Sequence, residues 1–145
     1  METRSQRPKV VVGVDGSPES DAALQVAYNE ARARHGELVV VHAWQFPPLG
    51  PSGHDRSRAE ELLAQSVERF RVAAEPEVPV VEKLAGGDPR QALMHEAGDA
   101  ALLVVGSRGL GRVSAVVLGS VSLYLLHHAP CPVEIVPPLE RAELS

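Results

Sequence analysis

The sequence predicts an α/β fold: a five-stranded parallel sheet with helices on both faces, an open sheet of Rossmann-like form. Three observations carry this reading. Short, almost wholly apolar runs recur along the chain, among them Val10-Val11-Val12 and Leu102-Leu103-Val104-Val105. Such runs mark strands buried on both faces. Stretches with apolar residues at helical spacing alternate with them, and capping residues, glycines and prolines punctuate the joins. Strands that alternate with helices build a parallel sheet, because a parallel connection needs a crossover.

The elements follow in order. Lys9 to Asp15 reads as the first strand. Ser17 is placed to cap a helix and Pro18 suits its first turn, where an amide hydrogen would lack a partner. Ala22, Ala23, Val26, Ala27 and Ala31 continue at helical spacing, and the small side chains predict close packing. Gly36 is expected to end this helix with a positive φ. Leu38 to Trp44 is the second strand. Phe46 to Gly53, with three prolines and two glycines, reads as loop. Arg56 to about Ala73 is helical, with Ala59, Leu62, Leu63, Val67 and Phe70 on one face. Val78 to Leu84 is a third strand, and Pro79 favours an edge position for it. Asp88 caps the next helix, with Pro89 just inside, and that helix runs to about Ala97. Ala101 to Gly106 is the fourth strand. Val121 to His128 is helical, Pro130-Cys131-Pro132 breaks it, and Val133 to Val136 is the fifth strand. The tail after residue 139 is expected to be mobile.

The chain of 145 residues reads as one domain, with its core between about residues 8 and 136. It is 44% apolar and 23% charged, as ordinary globular proteins are. A formal net charge of −5 argues against a protein built to hold nucleic acid. One tryptophan, two tyrosines and two phenylalanines offer few platforms for base stacking. The single cysteine, Cys131, excludes an intrachain disulfide and reads as a small buried hydrophobe. Met1 to Lys9 lacks the apolar core of a signal peptide, and no apolar run is long enough to span a membrane. A cytoplasmic location and no membrane partner are therefore expected.

Ligands of open parallel sheets bind beyond the carboxyl ends of the strands, where strand order reverses. Two loops qualify: Gly13-Val14-Asp15-Gly16-Ser17 and the glycine-bearing stretch after the fourth strand. The P-loop pattern is absent, and no glycine–lysine pair occurs. Gly109-Leu110-Gly111 begins like the dinucleotide pattern, but Ser114 stands where its third glycine belongs. What is present is Gly106, two residues, Gly109, nine residues, then Gly119-Ser120. Backbone amides in such a turn form an anion-holding concavity. Gly119-Ser120 just before a helical run places free amides and a hydroxyl at a helix N-terminus, which favours phosphate. Arg108 and Arg112 add positive charge. A plain flexible turn is the competing reading of the same glycines. His42, in an apolar strand, reads as a satisfied core or rim residue. His127 and His128 are adjacent on a helix and face different ways, so they make a poor chelate. No catalytic residue is assigned, and no metal-binding residue.

The segments Val104 to Arg112, Leu118 to Ser122 and His127 to Val133, with Val11 to Ser17 and the strand end Val41-His42-Ala43, resemble the universal stress protein family. The resemblance covers about residues 8 to 136, and the glycine spacing is that of the family's single-domain, ATP-binding branch. It implies ATP as ligand, together with Mg2+ or Mn2+, and a homodimer formed through Val133 to Val136. It also implies site residues. Asp15, in the loop opened by Gly13, meets the ribose or adenine side, and backbone at Ala43 lies against the adenine. Gly106, Arg108 and Gly109 line the ribose and phosphates, and Gly119, Ser120 and Val121 hold the phosphates. The expected role is a nucleotide-dependent sensor or regulator in stress response. Turnover is not required, although slow ATP hydrolysis or self-phosphorylation is compatible with the resemblance. Two other readings stay open: an interaction module without nucleotide, and a nucleotidyl-transferring enzyme. The enzyme reading lacks its usual SGGxDS or HxGH signature.

Overall fold

The computed structural model describes residues 7–44, 56–73, 78–107 and 119–137. The strands are β1 (Lys9–Gly13), β2 (Glu37–Trp44), β3 (Val80–Gly86), β4 (Leu102–Gly106) and β5 (Val133–Val136). The helices are α1 (Pro18–Ala33), α2 (Arg56–Ala73), α3 (Pro89–Glu96) and α4 (Ser120–His128), with a short 3-10 turn at Ala97–Asp99. All strand pairs are parallel and their order is β3-β2-β1-β4-β5. The chain thus builds outward from β1 to β3, then returns to the other side of β1 with β4. The expected loop at Phe46 to Gly53, the centre of the glycine stretch and the tail after 139 lie outside the described residues.

Side chains alternate across the sheet, because successive residues of a strand face opposite ways. Val10, Val12, Leu38, Val40, Leu102 and Val104 pack under α1 and α2, against Ala23, Leu24, Ala27, Leu63 and Val67. Val11, Val39, Val41, Leu103 and Val105 face the other way, against Leu93, Ala97 and Leu125 of the α3–α4 side. Each fully buried Leu or Val contributes about 1.5–3 kcal/mol by leaving water. Tyr28 and Phe70 meet edge to face with centroids 5.1 Å apart and join α1 to α2. Neither Leu24 nor Tyr28 was part of the expected apolar face of α1.

The caps at Ser17 and Asp88 form as the sequence predicts. Ser17 accepts from the Ser20 amide and Asp88 from the Arg90 amide, each with proline in the first turn. The Arg90 guanidinium, hydrogen-bonded to Asp88, holds that carboxyl below the usual carboxylate range. The end of α1 differs from expectation. The residue with positive φ is His35, at 56°, not Gly36. The His35 amide donates to Arg32 O and the Gly36 amide to Ala31 O, which closes a Schellman motif. Glycine at 36 has another cause: a Cβ there would overlap the carbonyl oxygen of Pro8. That carbonyl accepts from the Glu37 amide and starts the β1–β2 ladder.

β1 ends at Gly13, two residues earlier than its apolar run, and β3 starts at Val80. Pro79 stands just outside β3 on the sheet edge, and its carbonyl accepts from the Leu38 amide. Cys131 is half-buried beside the α3–α4 core rather than enclosed, and burial pushes its thiol up. β5 is the other edge. Its Glu134 lies beside Glu30, within reach of Arg34. Burial first, and then the Glu30 carboxylate, push Glu134 above the usual range.

Gly36→Ala should cost on the order of 1–3 kcal/mol, the range for overpacking. Gly98→Ala, where an added Cβ meets nothing within 4 Å, should be near neutral. Urea midpoints compare the two. A carboxyl whose folded pKa is raised opposes folding at neutral pH, and this opposition fades as pH falls through that pKa. Glu134→Gln should therefore stabilise the protein at pH 7, by less than about 1 kcal/mol at this exposed edge. The advantage should vanish below about pH 4 in paired thermal melts.

Candidate functional site

The site is set by where neighbouring strands stop. Gly13, the last paired residue of β1, lies opposite Val41 of β2. His42, Ala43 and Trp44 therefore run past the end of β1. On the other side Val12 pairs with Val104, so Gly106 and Ser107 stand level with Val14 and Asp15. β1 and β4 are neighbours in space but not in sequence, and the chain leaves them in different directions. A crevice at their carboxyl ends follows from that topology.

The turn after β1 is held at several points. The Val14 amide donates to Val41 O at 2.9 Å. His42 Nδ1 lies 2.9 Å from Val14 O. A carbonyl only accepts, so Nδ1 carries the proton. Asp15 Oδ1 accepts from the Ser17 amide at 2.9 Å, and the Asp15 amide donates to Ser20 Oγ at 3.2 Å. Asp15 is half-buried. One of its carboxylate oxygens fixes the turn.

On the far side of the crevice, α4 is docked onto β4. The Gly119 amide donates to Ser107 O at 2.7 Å, and Ser122 Oγ donates to Gly106 O at 2.6 Å. Gly119 is the N-cap and makes no side-chain cap. The first intrahelical bond runs from the Leu123 amide to Gly119 O, 3.0 Å. The amides of Ser120, Val121 and Ser122 precede it. No acidic residue stands in the first turn of α4, whereas that of α1 carries Glu19 and Asp21. At Gly106, α1 comes close: a Cβ would sit 3.2 Å from Glu19 O.

Gly13, Asp15, Ala43, Gly106, Gly119, Ser120 and Val121 thus gather at one edge of the sheet. Arg108 and Gly109 lie outside the described residues. Sequence reasoning missed Ser107 and Ser122. Among the described residues, Ser107 Oγ is buried without a hydrogen-bond partner, as are His42 Nε2 and Ser66 Oγ. Ser122 follows Ser120 by two residues, and that spacing alone does not say which hydroxyl turns inward. A separate cleft of about 490 Å3 opens beside Asp15 and Gly16, walled by α2 residues including Glu61, Leu62 and Ser66. No residue of β4 or α4 lines it, so it is not the crevice described above. Among the described residues, no group of three His, Cys, Asp or Glu side chains is placed to hold a metal ion. No described helix is long and apolar enough to cross a membrane.

Fold and site together define an open parallel α/β sheet with a crevice at its topological switch point. The universal stress protein family model matches residues 6–137, and the chain belongs to that family. It is 37% identical over 141 residues to a universal stress protein of Mycolicibacterium smegmatis, covering 91% of this chain and 46% of that one. It is 39% identical over 134 residues to one from Mycobacterium tuberculosis, covering 88% and 45%. The chain therefore spans about half the length of the curated relatives it matches. Among solved structures, it is similar to a universal stress protein in complex with cAMP. That match has 30% identity and a TM-score of 0.71, covering 92% of this chain and 99% of that one. It is also similar to the Archaeoglobus fulgidus protein in complex with dAMP, at 27% identity and a TM-score of 0.66, covering 89% and 97%.

Ser17→Ala removes the α1 cap beside the Asp15 turn. It should lower stability by about 1 kcal/mol, read as a shifted urea midpoint.

Proposed function

We propose that this chain binds an adenine nucleotide, ATP, in the β1–β4 crevice and works as a nucleotide-dependent sensor or regulator in stress response. The single observation that carries the reading is the start of α4. It is a helix N-terminus with no side-chain cap and no acidic residue in its first turn, docked on the end of β4 beside a buried hydroxyl that has no partner among the described residues. Such an end favours anions, through its amides and through the positive end of the helix dipole. The complexes of similar proteins with cAMP and dAMP support the same class of ligand, since both carry an adenine and a phosphate.

In this reading the amides of Gly119, Ser120 and Val121 and the Ser120 hydroxyl hold the phosphates. Gly106, Arg108 and Gly109 line the ribose and phosphates. Asp15 accepts from ribose hydroxyls, and Ala43 backbone lies along the adenine. Mg2+ or Mn2+ would ride on the phosphates of ATP rather than on a protein cage. Binding, not turnover, is the proposed activity, and the proposed setting is the cytoplasm. A homodimer through β5 is proposed as the output form. β5 is a sheet edge, and an edge strand offers unpaired backbone groups to a second chain.

Calorimetry with ATP and Mg2+, on protein freed of co-purified nucleotide, tests the reading. Micromolar binding is expected. Ser120→Asp places a negative charge among the phosphate-holding amides and should weaken ATP at least about tenfold, on the order of a lost charge-assisted contact. The same substitution suits the helix dipole and should raise the stability of the free protein by about 0.3–1 kcal/mol. A wild-type protein that takes up no adenine nucleotide would move the interaction-module reading ahead.

A further inference from the structure

His42 is 5% exposed and lies in β2, on the face that carries Leu38 and Val40 into the core under α1 and α2. The function proposed above gives it no role. Its position is unusual in one respect. Val41 pairs with Gly13, the last residue of β1, so His42 stands one step past the end of that ladder.

Residues of β2 alternate in which neighbour their backbone meets. The Glu37 amide donates to Pro8 O, toward β1, while the Leu38 amide donates to Pro79 O, toward β3. Val41 continues the first set by accepting from Val14, and Ala43 comes next in that set. If the ladder went on, the Ala43 amide would meet Val14 O. Val14 O instead receives Nδ1–H of His42, at 2.9 Å. Among the described residues no bond joins the Ala43 amide to Val14 O. The imidazole holds the Val14 carbonyl, whose second lone pair the Ala43 amide does not use, and the backbone edge of Ala43 stands past the end of β1.

We infer that His42 is a positioning residue for the nucleotide site: its Nδ1–H holds the Val14 carbonyl, which fixes the turn bearing Asp15 beside the backbone edge of Ala43. The inference rests on the proposed nucleotide site and adds a residue to it. The Asp15 turn is tied to β2 through both polar atoms of Val14, because its amide already donates to Val41 O. His42 acts through these neighbours.

The test separates a hydrogen bond from mere filling of space. Asparagine keeps an N–H donor near the δ position, while leucine keeps bulk and removes the donor. His42→Leu should weaken ATP at least about fivefold, in line with a lost hydrogen bond. His42→Asn should stay within about twofold of wild type. Val67→Ala, in the same core, lowers stability without touching the tether, and its affinity should not change. Hydrogen exchange gives a readout apart from affinity: the Ser17 amide, held by Asp15 Oδ1, should exchange faster in His42→Leu and not in His42→Asn. If His42→Leu binds as wild type does, or if His42→Asn fails as badly as His42→Leu, the inference is overturned. If His42→Leu does not fold, nuclear magnetic resonance on isotope-labelled histidine decides. The Nδ1–H tautomer, with its signal displaced by ATP, supports the inference, and the Nε2–H tautomer overturns it. If wild type takes up no nucleotide, the proposed function fails first, and the Ser17 exchange rates still report whether His42 holds the turn.

Discussion

β1 is paired on both sides, and the rest of the structure depends on that. A strand with two neighbours turns none of its backbone to water, and Val10, Val11 and Val12 are each fully buried. Both faces of such a strand must be covered by apolar side chains, so helices are needed above and below. A parallel neighbour also has to return by a crossover. The chain meets this by laying β2 and β3 on one side of β1, then β4 and β5 on the other. At the carboxyl end of β1 the two halves diverge. The crevice is therefore a product of the same pairing that buries the core, and no separate device is required to open it.

What distinguishes the crevice from the rest of that edge is how two helix starts are finished. At α1, Ser17 caps the Ser20 amide, Asp15 takes the Ser17 amide, and Glu19 and Asp21 complement the dipole. The amide ends there are answered from within. At α4 the cap is glycine, the first turn holds no acid, and the Ser122 hydroxyl faces away from the amides to reach Gly106 O. With glycine at the N-cap, the missing side-chain cap costs a few tenths of a kcal/mol relative to a capped start. The asymmetry matters more than either end alone, because an anion is repelled by acidic side chains at one start and met by open amides at the other.

Much of this is legible in the sequence. The valine runs mark the strands, and Ser17-Pro18 and Asp88-Pro89 mark two helix starts, because each rests on local chemistry. Pro79 places β3 on an edge for the same reason. The glycine spacing by itself points to Gly106, Gly119 and Ser120, and the family resemblance adds Asp15 and Ala43. The rest depends on contacts between distant residues. Gly36 is required by the carbonyl of Pro8, which a local reading of helix ends does not include, and so His35 takes the positive φ instead. Ser107 and Ser122 look alike in sequence, yet one hydroxyl has no partner among the described residues and the other anchors α4. His42 reads as an ordinary core histidine until strand register shows that it stands beyond the end of β1.

The same two features that suit the start of α4 to a phosphate also make it the weaker end of the fold. A buried hydroxyl without a partner, such as that of Ser107, costs about 1–3 kcal/mol. The missing cap, with glycine at that position, adds a few tenths of a kcal/mol. A ligand at a hundred times its dissociation constant stabilises a protein by about 2.7 kcal/mol, which is the same size as that deficit. In the proposed reading, occupancy would change the balance at α4 more than at the well-capped α1. α4 is also the helix whose outer side carries Leu123 and Leu126, 46% and 51% exposed, and it packs against α3 through the Arg90–Tyr124 contact. A helix that is tightened from its N-terminus and exposes leucines along its length links the crevice to the surface by one rigid element. In the proposed reading, where a nucleotide is sensed without being consumed, such a link is sufficient: the ligand needs only to bind more tightly to the ordered helix than to the loosened one.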